Sequence, residues 1–327
     1  MQKDREGKFV ISLDFELFWG VRDVYEFIDY RDHIAGVWEV VPKTLDMFIE
    51  HGINATWATV GFLFANSYDE VSSMLPESLP TYTDKGLSPY VYNSQFFTEN
   101  PQMVPYHFAP SLIERIATTK GQEIGSHTFS HYYCQAHGQS LESFRSDLKS
   151  AVDIAAQKKI GLKSLVFPRN QVNTGYLEVL ADFGFNSYRG VQNSWIYSND
   201  ARFTLIQRLF RLLDSYVNIT GDNSYPICSI GESNLKNIPG SSFLRPYNRN
   251  LHYLEKYRVR RILNSMTRAA TKGEIYHLWW HPHNFGVDQR KNFEILETIL
   301  QHYNDLNEKY GFVSANMKEI VSSYEQS

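Results

Sequence analysis

Hydrophobic positions along the 327-residue chain follow two alternating rhythms, one of period two and one of helical period. Short runs rich in β-branched and aromatic residues predict strands at 8–13, 54–60, 122–126, 163–167, 185–188, 274–280 and 312–315. Between them apolar residues recur at helical spacing: Val41, Leu45, Phe48 and Ile49; Leu112, Ile113 and Ile116; Leu141, Phe144, Leu148, Val152 and Ala155; Phe293, Leu296, Ile299, Leu300 and Tyr303. Boundary signals accompany these stripes. Ser111 and Glu114 have capping-box spacing, and Gly52, Gly121, Gly161, Gly184 and Gly311 stand where left-handed residues end helices. About seven β–α alternations predict an α/β fold around a mainly parallel sheet or barrel. Two stretches break the rhythm: 62–110, rich in Pro and Tyr, and 196–250, polar and holding Pro226, Pro239 and Pro246. Insertions of this length serve as lids or binding loops about as often as surface decoration.

Composition narrows the function classes. A net charge of −4 gives no broad basic field, so nucleic acid and anionic membranes are not expected partners. Cys134 and Cys228 are too few for a disulfide framework and are expected to be reduced. The N-terminus turns quickly from charged to strand-like, with no leader-like apolar run, and no segment reaches transmembrane length, so a cytoplasmic protein is expected. Aromatic residues make up 15% of the chain; most are expected in the core, but their flat faces also suit sugar rings.

Four places carry candidate chemistry. Asp14 and Glu16 end the first strand, and alternation points both carboxylates to one side. By themselves they read more often as a solvated strand edge. His127 and His131 have the i, i+4 spacing that places two imidazoles on one face of a helical turn, a favoured arrangement for metal ligands. The plain alternative is a hydrogen-bonded pair of loop histidines. Arg169 and His281, the latter flanked by His277 and His283, would ordinarily be a structural ion-pair partner and a satisfied polar residue. Their placement changes this. Asp14, His127, Arg169 and His281 follow the C-terminal ends of four different predicted strands, and parallel barrels assemble active sites on that face.

With these residues in place, the chain resembles the polysaccharide deacetylases of carbohydrate esterase family 4. The motifs occur in order: Ser12-Leu13-Asp14-Phe15-Glu16, His127-Thr128-Phe129-Ser130-His131, Arg169, and Leu278-Trp279-Trp280-His281, with Ala55-Thr56-Trp57 resembling the second strand. The usual adjacent acidic pair is here Asp-x-Glu, similar to the Asp-x-Asp of lipid-linked aminoarabinose deformylases, and Gly20, Arg22 and Asp23 continue that likeness. Val172 replaces the family's Tyr, and Trp195 stands in for its Asp/Trp motif. The resemblance implies a single-domain distorted (β/α) barrel of about seven parallel strands over residues 1–327, with insertions at about 62–110 and 196–250.

It also implies a metal-dependent hydrolase that removes an N-acetyl or N-formyl group from an amino sugar or glycan, free, polymeric, or nucleotide- or lipid-linked. Glu16, His127 and His131 would hold one divalent metal, Zn²⁺ first and Co²⁺, Ni²⁺, Mn²⁺ or Fe²⁺ as alternatives. Asp14, oriented by Arg169, would be the base, His281 the acid, and a backbone N–H near Val172 an oxyanion donor. The spaced acidic pair leaves a role swap open, with Asp14 on the metal and Glu16 as base. Trp19, Val172, Trp195, Trp280 and His283 are the expected substrate contacts. Three rivals compete. Two His and one carboxylate also describe a non-haem Fe(II) oxygenase, although Arg169 and His281 would then lack a role. A non-catalytic glycan-binding protein would suit the altered motifs. A metal-free glycosidase would leave the His pair unexplained.

Overall fold

The computed structural model describes residues 6–192, 205–231 and 233–325. The period-two segments form β1 (Lys8–Phe15), β2 (Ala55–Thr59), β3 (Gln122–Ser126), β4 (Ser164–Val166), β5 (Ser187–Arg189), β9 (Glu274–Trp280) and β10 (Val313–Ser314). Among the described residues three two-residue strands lie between β5 and β9: β6 (Tyr225–Pro226), β7 (Lys236–Asn237) and β8 (Ser242–Phe243). The sheet runs β6-β9-β1-β2-β3-β4-β5-β7, with β10 also on β1 and β8 also on β9. Only β6 with β9 is antiparallel among the described pairings. Past Lys8, β1 is buried at every position, as expected where helices cover one face and the barrel interior the other.

The sheet curls far enough for its ends to meet. Three strands separate β5 from β1, yet Arg189 on β5 hydrogen-bonds Ser12 and Asp14 on β1. The gap between β5 and β9 is closed by 236–244. Ile238 and Gly240 donate N–H bonds to Tyr188 and Gly190, at 2.9 and 3.0 Å, and Ser241 and Leu244 donate to His277 and Trp279, at 2.7 and 2.8 Å. Part of the stretch expected to be an insertion at 196–250 is therefore a barrel stave.

Most of the apolar stripes face the core on helices Val37–Glu50, Pro110–Thr118, Leu141–Gln157 and Gln289–Tyr310, though Ile49 and Leu141 are exposed. Gly311, at φ 66°, ends the last of these in the left-handed conformation. Ser111 is not a cap: Pro110 occupies the first turn, where its missing N–H costs nothing, and the capping box belongs to Ser140 and Ser143. The 62–110 stretch buries Phe62, Phe97 and Phe108 against Trp19 and His107, an aromatic extension of the core. No described helix is long and apolar enough to cross a membrane.

Candidate active site

The end of β1 delivers the two carboxylates. Asp14, its penultimate residue, is 3% exposed and held by both guanidinium nitrogens of Arg189, each at 2.7 Å. Arg189 is fully buried and also donates to Ser12 Oγ and Asn170 Oδ1, at 2.9 and 2.8 Å. Burial disfavours the Asp14 charge, but the Arg189 guanidinium together with His127 and His281 outweighs it, and the pKa lies below the usual value. Glu16 stands at the head of a tight turn, Leu17–Gly20. A Cβ at Gly20 would lie 1.9 Å from Glu16 Cδ, so the glycine makes room for the carboxylate.

Glu16 Oε2 lies 3.2 Å from His127 Nε2 and 3.2 Å from His131 Nε2, all three groups buried. The imidazoles come from a loop rather than the helical turn that their spacing suggests: Thr128 and His131 have φ of 64° and 58°. Asp147, on the helix Leu141–Gln157, holds this loop by accepting from Phe129 N, Ser130 N and Ser130 Oγ. The residues fit a metal ion. Bonds of about 2.0–2.2 Å in a tetrahedron place neighbouring donors roughly 3.3–3.6 Å apart, close to the separations here. His127 Nδ1–H donates to the Val166 carbonyl at 2.8 Å, which leaves the Nε2 lone pair facing Glu16. Burial also opposes the Glu16 charge, but His281, His127 and His131 hold its carboxyl well below the normal range.

The structure brings His281 to the same place. Its Nε2 lies 3.6 Å from Asp14 Oδ2 and 3.7 Å from Glu16 Oε1, and Asn284 Oδ1 stands 3.2 Å from its Nδ1. His283 lies beneath, its ring stacked on His281 at 4.9 Å and its Nδ1 3.9 Å from Glu16. Burial, with the charge of His281, pushes the His283 pKa down to about 3. His277 is a buried barrel residue bonded to Ser12 Oγ at 2.8 Å.

Other expected residues lie elsewhere. Arg169 does not touch Asp14; it pairs with Asp23 and lies over the Tyr133 ring, 4.5 Å from its centroid. It stands in a turn three residues past β4, with φ of 56°, whereas Arg189 ends β5 and reaches across the interior. Arg189 follows the strand expected at 185–188, and the strand-end rule that found the other residues applies to it equally. Val172 N–H already donates to the Asn170 carbonyl at 3.1 Å, so it is not the expected oxyanion donor. Trp19 is core: fully buried, with Nε1 on the His107 carbonyl at 2.6 Å. Trp280 is core too, stacked on Phe285 on the helix side of β9. Strand alternation puts Trp279 and His281 together instead, 5.8 Å apart. Trp195 lies outside the described residues.

A curled, mainly parallel α/β barrel with acidic, imidazole and guanidinium groups at its strand ends defines the class. Within it, residues 32–188 match the model of the polysaccharide deacetylase family. The carboxylates and His281 lie outside the matched segment. Two structures described as candidate polysaccharide deacetylases share the fold. That from Mycobacterium smegmatis has 14% identity and a TM-score of 0.61, covering 100% of this chain and 92% of the other. That from Pseudomonas aeruginosa PAO1 has 10% identity and a TM-score of 0.54, covering 98% and 91%. A 4-α-glucanotransferase from Thermococcus litoralis also shares it, at 11% identity and a TM-score of 0.51, covering 97% of this chain and 40% of the other. The fold thus hosts different chemistries, and the site must decide between them. No curated protein matches the chain.

Proposed function

We propose that the protein is a metal-dependent hydrolase that removes an N-acyl group, acetyl or formyl, from an amino sugar. The observation that carries this reading is the division of labour between the two carboxylates. Glu16 meets both imidazoles at 3.2 Å, while Asp14 meets Arg189 on one side and His281 on the other. This favours Glu16 as ligand and Asp14 as base over the swapped assignment.

A divalent ion held by Glu16, His127 and His131 would polarise the acyl carbonyl and make hydroxide accessible near neutral pH. Asp14, kept ionised by Arg189, takes the proton of the attacking water. His281 gives a proton to the nitrogen as the C–N bond breaks, which an amide requires because an amine anion is a poor leaving group. Asn284 beside Nδ1 fixes the ring so that Nε2 faces the reacting centre. A non-haem oxygenase would leave the Asp14–Arg189 pair and His281 without a role, and a metal-free glycosidase would leave the His pair unused.

The test couples metal analysis of the purified protein to acetate and formate release from a panel of N-acylated sugars. Stoichiometric divalent metal with acid release abolished by chelation is expected; acid release that persists without metal would refute the reading.

A further inference from the structure

Beside the site lies a cavity of ≈ 170 Å³ whose wall carries Arg169, Arg211, Arg245 and Arg261 and, among the described residues, no carboxylate. We propose that this cavity binds a phosphoryl group carried by the substrate sugar. The inference rests on the hydrolase reading only in treating the bound sugar as the substrate.

Three observations support it. The wall adjoins the proposed reacting groups: Trp279 lies 4.2 Å from the Arg189 guanidinium and 5.8 Å from His281, and Phe243 lies 5.7 Å from His281. Asn170, also on the wall, accepts from Arg189. A ligand against Trp279 and Phe243 therefore lies beside His281 and beside the guanidinium that holds Asp14. The wall also has the composition of a sugar-phosphate site. Trp279 and Phe243, with ring centroids 4.6 Å apart, offer an apolar face for a pyranose. Four guanidinium groups around one cavity, two of them already paired with carboxylates, leave an excess of positive charge that suits a dianion with three oxygens better than a monoanionic carboxylate with two.

Hydrogen-bonding capacity remains unused there. Arg261 Nε and Gln192 Oε1 are buried without a partner among the described residues, the first a donor for an anion and the second an acceptor for a hydroxyl. Carboxylates outside the wall brace two of the guanidiniums: Asp214 lies 3.0 Å from Arg261, and Asp23 pairs with Arg169. Glycine lets the backbone pass close against the Trp279 ring. A Cβ at Gly240 would lie 2.9 Å from the Trp279 ring.

The experiment measures calorimetric binding of N-acetylglucosamine, its 1-phosphate, N-acetylmuramic acid and inorganic phosphate to the full chain. It is run on the metal-loaded protein and on His127→Ala, so that phosphate bound at the metal is separated from phosphate bound in the cavity. The sugar phosphate is expected to bind at least tenfold more tightly than the neutral sugar in both proteins, with affinity falling as salt rises. Arg245→Gln and Arg211→Gln should each cut that preference at least fivefold, and Arg245→Lys, which keeps the charge but loses the fork, should cut it less. Circular dichroism verifies folding of each variant, and the Lys variant serves if a Gln variant fails to fold. Equal affinity for neutral and phosphorylated sugar, preference for the carboxylated sugar, or a preference untouched in the folded Arg variants would overturn the proposal. Phosphate preference without acid release from any sugar would support the cavity while refuting the hydrolase.

Discussion

Asp14 and Glu16 are separated by one residue, but their partners give them opposite behaviour under mutation. His127→Ala removes one of three clustered donors and is expected to abolish stoichiometric metal. Asp14→Asn leaves all three in place, so metal should be retained while kcat falls ~10²–10⁴-fold; metal lost in Asp14→Asn would reverse the assignment. Arg189→Met strips a buried carboxylate of its guanidinium, a change that costs about 3–5 kcal/mol in such pairs and should appear as a lower urea midpoint. Arg189 is also the main charge lowering the Asp14 pKa, so its loss raises that pKa and moves the acid limb of kcat/KM to higher pH. Arg169→Met should not move the limb, because Arg169 pairs with Asp23. A limb that tracks Arg169 instead would show that Arg189 is not what charges Asp14. The sequence placed Asp14, Glu16, His127, His131 and His281 near one another because each ends or follows a strand. It did not separate Arg169 from Arg189, since that choice depends on how far the sheet curls.

The loop 127–131 works because a helix holds it. Thr128 and His131 both take left-handed backbone, a strain of order 1 kcal/mol or more at each non-glycine residue. Asp147 offsets it by accepting two backbone N–H groups and one hydroxyl. Asp147→Ala leaves those donors buried and unpaired, at about 1–3 kcal/mol each, and loosens His131. A 10–100-fold loss of metal affinity with a lowered melting temperature is expected, by analogy with changes to groups that orient metal ligands. Metal titration that matches wild type would show that His131 is positioned without Asp147. The i, i+4 spacing thus identified the pair but not its backbone, because a loop with two positive-φ residues brings imidazoles together as well as a helical turn does. Strand periodicity was more dependable: all seven runs that it marked overlap a strand. The stave at 236–244 gave no such signal. Its strands are two residues long with Pro239 between them, and neighbours distant in sequence supply its hydrogen bonds.

The whole molecule combines a barrel closed by 236–244 with an aromatic extension built from 62–110, and one buried imidazole outside the proposed metal cluster reports on each. His277, inside the barrel, has its pKa pushed down to about 3 by burial and by the Arg189 charge. His107, in the aromatic extension, is pushed down to about 4 by burial. In the unfolded chain both titrate near 6.5, so below that pH the unfolded state binds protons that the folded state refuses. The stability that these two imidazoles contribute therefore falls as pH drops from about 6.5. Each imidazole contributes roughly 1.4 kcal/mol per pH unit, until about pH 4 for His107 and about pH 3 for His277. Urea midpoints measured at pH 7, 6 and 5 should decline steadily. His107→Phe keeps the ring packing but removes the titration and the bond from Nδ1 to the Met103 carbonyl. It should lower stability at pH 7 by about 1 kcal/mol and make the decline shallower by roughly 1.4 kcal/mol per pH unit. An unchanged slope would mean that the aromatic extension opens to solvent before the barrel unfolds, so that His107 protonates without cost to the rest of the fold.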